Sequence, residues 1–169
     1  MNLTNQHALV TGAGSGVGLA IAQQLDAQGC RLTLCGRNEA PLKQLAASFT
    51  NAQYVTCDVS DRASLDAALE QARLTFGPFS IAIANAGSAE ARPFRKLSQQ
   101  DWQQAMGVNL DGCFNTFQAV LPDLLEQGCG RLIAVSSTAG LRGYKYAAAY
   151  SAAKHGVIGL VKSLAIELG

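Results

Sequence analysis

Short apolar runs alternate with stretches of helical periodicity along this chain. His7-Ala8-Leu9-Val10, Arg31-Leu32-Thr33-Leu34-Cys35, Gln53-Tyr54-Val55-Thr56-Cys57, Ser80-Ile81-Ala82-Ile83-Ala84 and Arg131-Leu132-Ile133-Ala134-Val135 read as strands, the most apolar of them buried on both faces. Between them, Leu19 to Leu25, 39–48, and Leu65, Ala68, Leu69, Ala72 and Phe76 carry apolar residues at helical spacing. Gly29 stops the first helix. Asn38 caps the second, with Glu39 and Pro41 in its first turn. Ser60 or Asp61 opens the third, and Gly77-Pro78 closes it. Ser98 and Asp101 have capping-box spacing ahead of a helical segment through Trp102 and Met106. A long helix is expected from about 108 to 126, broken only by Pro122 near its end, and a last one from about 148 to 168.

This alternation predicts an α/β fold, a doubly wound parallel sheet with helices on both faces. Right-handed crossovers then place a ligand crevice at the carboxyl ends of the strands, where the winding reverses. Gly12, Asp58, Asn85 and Ser137 all fall just past strand ends. A chain of 169 residues, 49% hydrophobic and 15% charged, fits one compact domain rather than a disordered segment. A formal net charge of +1 gives no general attraction to nucleic acid or to a lipid surface. No apolar run reaches membrane-span length, and Met1 to Gln6 lacks the basic and apolar parts of a signal peptide. A cytosolic protein is expected.

The five cysteines, Cys30, Cys35, Cys57, Cys113 and Cys129, are odd in number, dispersed and without a Cys-x-x-Cys pair. They read as small buried hydrophobes in a reducing compartment, not as disulfides or ligands. His7 and His155 stand far from any acidic cluster, so no metal site is expected.

Candidate chemistry begins at Thr11-Gly12-Ala13-Gly14-Ser15-Gly16-Val17-Gly18, between the first strand and the first helix. Free N–H groups and the helix dipole at such a turn favour a phosphate, and the glycines let backbone approach it closely. The pattern is not G-x-G-x-x-G, because Val17 follows Gly12 and Gly14 at the sixth position; it is T-G-x-x-x-G-x-G. Gly12, Gly14, Ser15, Gly16, Val17 and Gly18 are the candidate phosphate-binding residues, against the alternative of a tight turn without a ligand. Near the other end, Tyr150 and Lys154 stand at i and i+4 on one helix face. A tyrosine titrates near ~10, and an adjacent ammonium favours phenolate, making the phenol usable as a general acid or base. Ser137 precedes Tyr150 by thirteen residues, at a strand end facing the same crevice.

Taken in order, T-G-x-x-x-G-x-G, Asn85-Ala86-Gly87, Asn109, Ser137 and Tyr150-x-x-x-Lys154 resemble the short-chain dehydrogenase/reductase family over the whole chain. The resemblance implies a Rossmann-like sheet in the order 3-2-1-4-5 and hydride exchange between a nicotinamide cofactor and a carbonyl or secondary alcohol. It implies that Tyr150 protonates the substrate oxygen and that Ser137 holds it. Lys154 would lower the tyrosine pKa and bind the nicotinamide ribose, and Asn109 would hold a water in a proton relay. Asn85, Ala86 and Gly87 would line the cofactor and steady the sheet. Asp58, with Val59 beside it, would bond the adenine, although Asp58 alone reads equally as a helix cap.

The end of the second strand has Gly36 and Arg37 where a carboxylate would hold the ribose hydroxyls of NAD. Arg37 offers a forked donor to a 2′-phosphate, favouring NADP, with NAD as the alternative. Family members continue for two more strands and a mobile cover, so the chain reads as one C-terminally incomplete dinucleotide-binding and catalytic domain whose fifth strand is an apolar sheet edge. Arg92, Arg95, Lys96, Arg142 and Lys145 lie on loops near the crevice mouth and suit an anionic substrate such as a 3-oxoacyl thioester, or are simply solvated. The long helices resemble those through which the family forms homodimers and homotetramers. The competing reading is a non-catalytic nucleotide-binding or assembly fragment.

Overall fold

The computed structural model describes residues 2–169. Five parallel strands, β1 (His7–Thr11), β2 (Arg31–Gly36), β3 (Ala52–Thr56), β4 (Ile81–Ala84) and β5 (Arg131–Ala134), form one sheet in the order β3-β2-β1-β4-β5. Register follows the apolar runs: Leu9 faces Thr33 on one side and Ala82 on the other, and Ile83 faces Ile133. The central strand β1 is buried throughout, as its continuous apolar run requires. β5, at the edge, alternates between exposed and half-buried.

Helices cover both faces. α1 (Gly16–Ala27) and α2 (Glu39–Ser48) lie on one, and Ala22 and Leu42 pack with Val10, Leu32, Leu34 and Ile81. α3 (Arg62–Phe76), α5 (Gly112–Gln127) and α6 (Ala148–Leu168) lie on the other, where Leu65, Leu69, Phe117, Val120 and Val157 pack with Leu9 and Phe79. Each such side chain contributes about 1.5–3 kcal/mol on full burial. The winding reverses between β1 and β4, opening the crevice at their carboxyl ends.

Asp61, not Ser60, caps α3, accepting from Ser64 N at 3.1 Å. Asn38 stands at the start of α2 without a side-chain cap bond. The capping box of Ser98 and Asp101 opens α4 (Gln99–Met106). The helix expected from 108 does not start there: α4 runs through a π-helical turn, Gly107–Asp111, into α5. The wider turn directs Asn109 inward, where it is 1% exposed. Nor does Pro122 break α5. Pro122 and Gln118, between which the helical bond is missing, both lie on the exposed face.

Candidate functional site

The turn between β1 and α1 is shaped by its neighbours. Gly12 and Gly16 have φ of 65° and 56°, a region that side chains rarely enter. A Cβ on Gly18 would run into the carbonyl oxygen of Gly12, so only glycine lets α1 start this close to the strand. Ser15 precedes α1 without capping it by its side chain, and the first turn of the helix holds no acidic residue. Ser15, Gly16 and Val17 are exposed. The start of α1 therefore presents backbone donors with no internal anion against them, which fits a pyrophosphate.

Thr11 latches this turn to β4. Its Oγ1 accepts from Asn85 N and Ala86 N, each at 3.0 Å, and donates to Ile83 O at 3.3 Å. Asn85 Nδ2 returns bonds to Thr11 O at 2.9 Å and Gly12 O at 3.2 Å. Asn85 thus fixes the glycine turn itself. Thr11 opens the glycine motif, but its latching role was not expected from the sequence; its signal was a hydroxyl at a strand end.

At the β2 and β3 ends, Arg37 is exposed and half-exposed Asp58 lies near it. Asp58 Oδ1 accepts from Ser60 N at 2.9 Å and Ser60 Oγ at 2.6 Å. These bonds, and more weakly the charge of Arg37, hold its carboxyl below the usual range. Val59 is buried, and its carbonyl accepts from Asn115 Nδ2 at 2.9 Å. Asp58 therefore organises its own turn while Oδ2 stays free of protein partners among the described residues.

The β4 and β5 ends meet α6. Lys154 is 5% exposed, donates from Nζ to Val135 O at 2.9 Å, and lies 5.8 Å from the centroid of the Tyr150 ring. No carboxylate pairs with it among the described residues. Burial holds its pKa below the ordinary lysine value, opposed weakly by the nearby Cys113. Ser136 Oγ donates to Lys154 O at 3.4 Å, binding the same strand end to the same helix. Ser137 follows, its Oγ accepting from Ala139 N at 3.1 Å, which leaves its own O–H available as a donor.

Asn109 closes the floor. Its Nδ2 donates to Ser88 O and Ala105 O, each at 2.9 Å, and its Oδ1 accepts from Ser88 N at 3.2 Å. A Cβ on Gly87 would lie 2.7 Å from Asn109 Oδ1 and 3.6 Å from Lys154 Nζ, so Gly87, Asn109 and Lys154 share one small space. Ser88 and Val135 act through backbone atoms, which leave no side-chain signal in a sequence. The structure thus gathers Asn109, Tyr150, Lys154 and the β5 end bearing Ser137 at one end of the crevice. Gly12 to Gly18 with Asn85 lie at its centre, and Arg37 and Asp58 at the far end.

The loop cations are mostly engaged. Arg92 pairs with Asp101 at 2.9 Å and with Glu90 at 3.6 Å. Arg142 donates to Tyr144 OH at 2.9 Å, and Lys145 stands 4.9 Å from the Tyr146 ring. Arg95 and Lys96 are exposed on a short 3-10 turn.

The family model for short chain dehydrogenase matches residues 6–169. A Streptomyces coelicolor protein provisionally named ketoacyl reductase is 38% identical over 167 residues, covering 95% of this chain and 64% of that protein. D-threitol dehydrogenase of Mycolicibacterium smegmatis is 37% identical over 171 residues, covering 99% of this chain and 66% of the enzyme. Among solved structures, apo LigO from Sphingobium sp. strain SYK-6 superposes with a TM-score of 0.94 at 30% identity, covering 99% of this chain and 64% of that one. A Burkholderia phymatum short chain dehydrogenase/reductase in complex with NAD gives 0.93 at 29%, covering 97% and 60%. The chain spans less than two thirds of the length of each of these proteins.

Proposed function

The chain belongs to the short chain dehydrogenase family, and from that premise we propose that it carries the dinucleotide site and proton-transfer residues of a carbonyl reductase or alcohol dehydrogenase. The observation that carries this reading is the buried, carboxylate-free ammonium of Lys154 beside the Tyr150 ring. When bound, a nicotinamide dinucleotide exchanges a hydride with the substrate carbon. Tyr150 passes its phenolic proton to the substrate oxygen, and Ser137 holds that oxygen with its free O–H. Lys154, held by Val135 O beside the Tyr150 ring, binds the nicotinamide ribose. Asn109 holds a water in the proton relay behind Lys154, while its side chain anchors the Ser88 backbone and so keeps Gly87 against Lys154.

The donors of Ser15 to Gly18 hold the pyrophosphate, with Gly12 and Gly14 giving it room. Asn85 and Ala86 line the ribose side, and Asp58 with Val59 the adenine. Arg37, exposed and without an acidic residue at Gly36, receives a 2′-phosphate, so the preferred cofactor is NADP. Substrates are secondary alcohols or ketones, 3-oxoacyl thioesters included, with Arg95 and Lys96 free to meet an anionic tail. Exposed Phe114 and Leu125 on α5 and Ile166 on α6 suit pairing into a homodimer or homotetramer.

The test is fluorescence titration with NADPH and NADH, then turnover with a ketone panel. Tighter binding of NADPH, reversed by Arg37→Glu, and ketone-dependent oxidation of the cofactor are expected. The competing reading is a nucleotide-binding unit without turnover. Binding with no oxidation of cofactor by any ketone selects it.

A further inference from the structure

We propose that Cys35 and Cys57 form a redox-modification site, a reversible disulfide that closes between the β2 and β3 ends and weakens dinucleotide binding. The second half rests on the function proposed above; the first does not.

The two Sγ atoms lie 3.1 Å apart in the interior. Their positions follow from the strand pairing. Cys35 faces Val55 in the ladder, Gly36 faces Thr56, and Cys57 N donates to Gly36 O at 3.1 Å. Both thiols thereby enter the same apolar cluster, with Leu65 and Leu69. A disulfide has an S–S distance of about 2.05 Å, so closure needs a movement of only about 1 Å. The remaining cysteines lack such a partner: Cys30 donates to Leu3 O, Cys113 stands on α5, and Cys129 is exposed.

The pair is also unequal in the way oxidation requires. Cys57 is 6% exposed and lies directly before Asp58 at the crevice edge, whereas Cys35 is fully buried. The hydrogen bond shared by the two thiols lowers the Cys57 pKa and raises that of Cys35 well above the ordinary value; the nearby Asp58 carboxylate opposes thiolate formation at Cys57. A peroxide is the oxidant. The Cys57 thiolate attacks one peroxide oxygen, the O–O bond breaks, and the departing hydroxide takes a proton to become water. Cys35 sulfur then attacks the Cys57 sulfenic acid; the S–S bond forms, the S–O bond breaks, and a second water leaves with the Cys35 proton. Two thiols are oxidised and one peroxide is reduced. Such bonds are transient in reducing compartments, and a thiol reductant restores the pair.

Closure draws the β2 and β3 ends together, and each cysteine stands within two residues of a proposed adenosine contact: Cys35 before Gly36-Arg37, Cys57 before Asp58-Val59. A site preorganised to about 0.5 Å loses affinity when the ends that carry its contacts are pulled on, and roughly tenfold weaker dinucleotide binding is expected. The full chain carrying Cys129→Ser is treated with hydrogen peroxide, mapped under non-reducing conditions, and titrated with NADPH before and after dithiothreitol. A Cys35–Cys57 crosslinked peptide, absent in Cys35→Ser and in Cys35→Ala, with affinity lost on oxidation and regained on reduction, is the expected result. Oxidation of Cys57 to sulfinic acid without a crosslink overturns the proposal, as does a crosslinked protein that binds NADPH with unchanged affinity. A reduced chain that binds neither dinucleotide overturns the proposed function and the regulatory half together, while the peptide map still decides whether the bond forms.

Discussion

Replacing Thr11 with valine removes a hydroxyl and almost nothing else. Valine matches threonine in shape and strand preference, and Thr11 is 1% exposed at the end of the central strand. The lost oxygen accepts from Asn85 N and Ala86 N, both at 3.0 Å, and donates to Ile83 O. An enclosed donor left without an acceptor costs about 1–3 kcal/mol, so two of them together amount to about 2–6 kcal/mol if the turn cannot rearrange. That is a large part of the roughly 5–15 kcal/mol that holds a typical domain folded. Thr11→Ser keeps the oxygen and loses one buried methyl, worth about 1 kcal/mol. Urea unfolding should therefore rank wild type, then Thr11→Ser, then Thr11→Val, with the valine variant at least about 1 kcal/mol below the serine one. Because Asn85 also holds Gly12 O, the valine variant should bind dinucleotide more weakly as well. Equal stability and equal binding in the two variants would refute the latch.

Three further outcomes follow from particular contacts. Burial pushes His7 down to about 4 from its ordinary 6.5, against the opposing hydrogen bond to Gly77 O. Between those values the unfolded chain takes up a proton that the folded chain refuses. Stability is thus unaffected above the ordinary value, falls by about 1.4 kcal/mol per pH unit below it, and has lost about 3 kcal/mol at the folded one. Urea unfolding across pH should show this slope in the wild type and lack it in His7→Gln; parallel profiles would remove His7 as its source. Gly18→Ala forces a methyl group against Gly12 O, and should cost about 1–3 kcal/mol together with dinucleotide affinity, read by unfolding and NADPH titration. Arg37→Glu should reverse the preference between NADPH and NADH in the same titration, because a carboxylate repels the 2′-phosphate and suits two free ribose hydroxyls.

The layout of the fold was legible because its strands are short apolar runs and its turns carry glycine or capping residues. β1, the box at Ser98 and Asp101, and the order of strands and helices all follow from such local signals. The π-helical turn was not legible, since Gly107-Val108-Asn109-Leu110-Asp111 lies between two helical patterns and no residue type in it marks the wider turn. Pro122 misled for a related reason: a proline on an exposed face removes one bond without ending a helix whose other face is buried. At the site, the roles of Ser88 and Val135 are backbone roles and invisible in residue types. The Ser88 contacts of Asn109 and the pairing of Arg92 with Asp101 depend on loops that only the folded chain brings together. The contact between Cys35 and Cys57 likewise needs the β2–β3 register, which spacing along the chain does not reveal.

The central claim is that the Tyr150 phenol delivers the proton while the rest of the crevice binds the dinucleotide. Ketone-dependent NADPH oxidation, measured for wild type and Tyr150→Phe at matched cofactor saturation, tests it most directly. The phenylalanine variant should bind NADPH as the wild type does and lose roughly 10²–10⁴-fold in turnover, the usual contribution of a positioned acid or base. Wild-type turnover by Tyr150→Phe would contradict the claim.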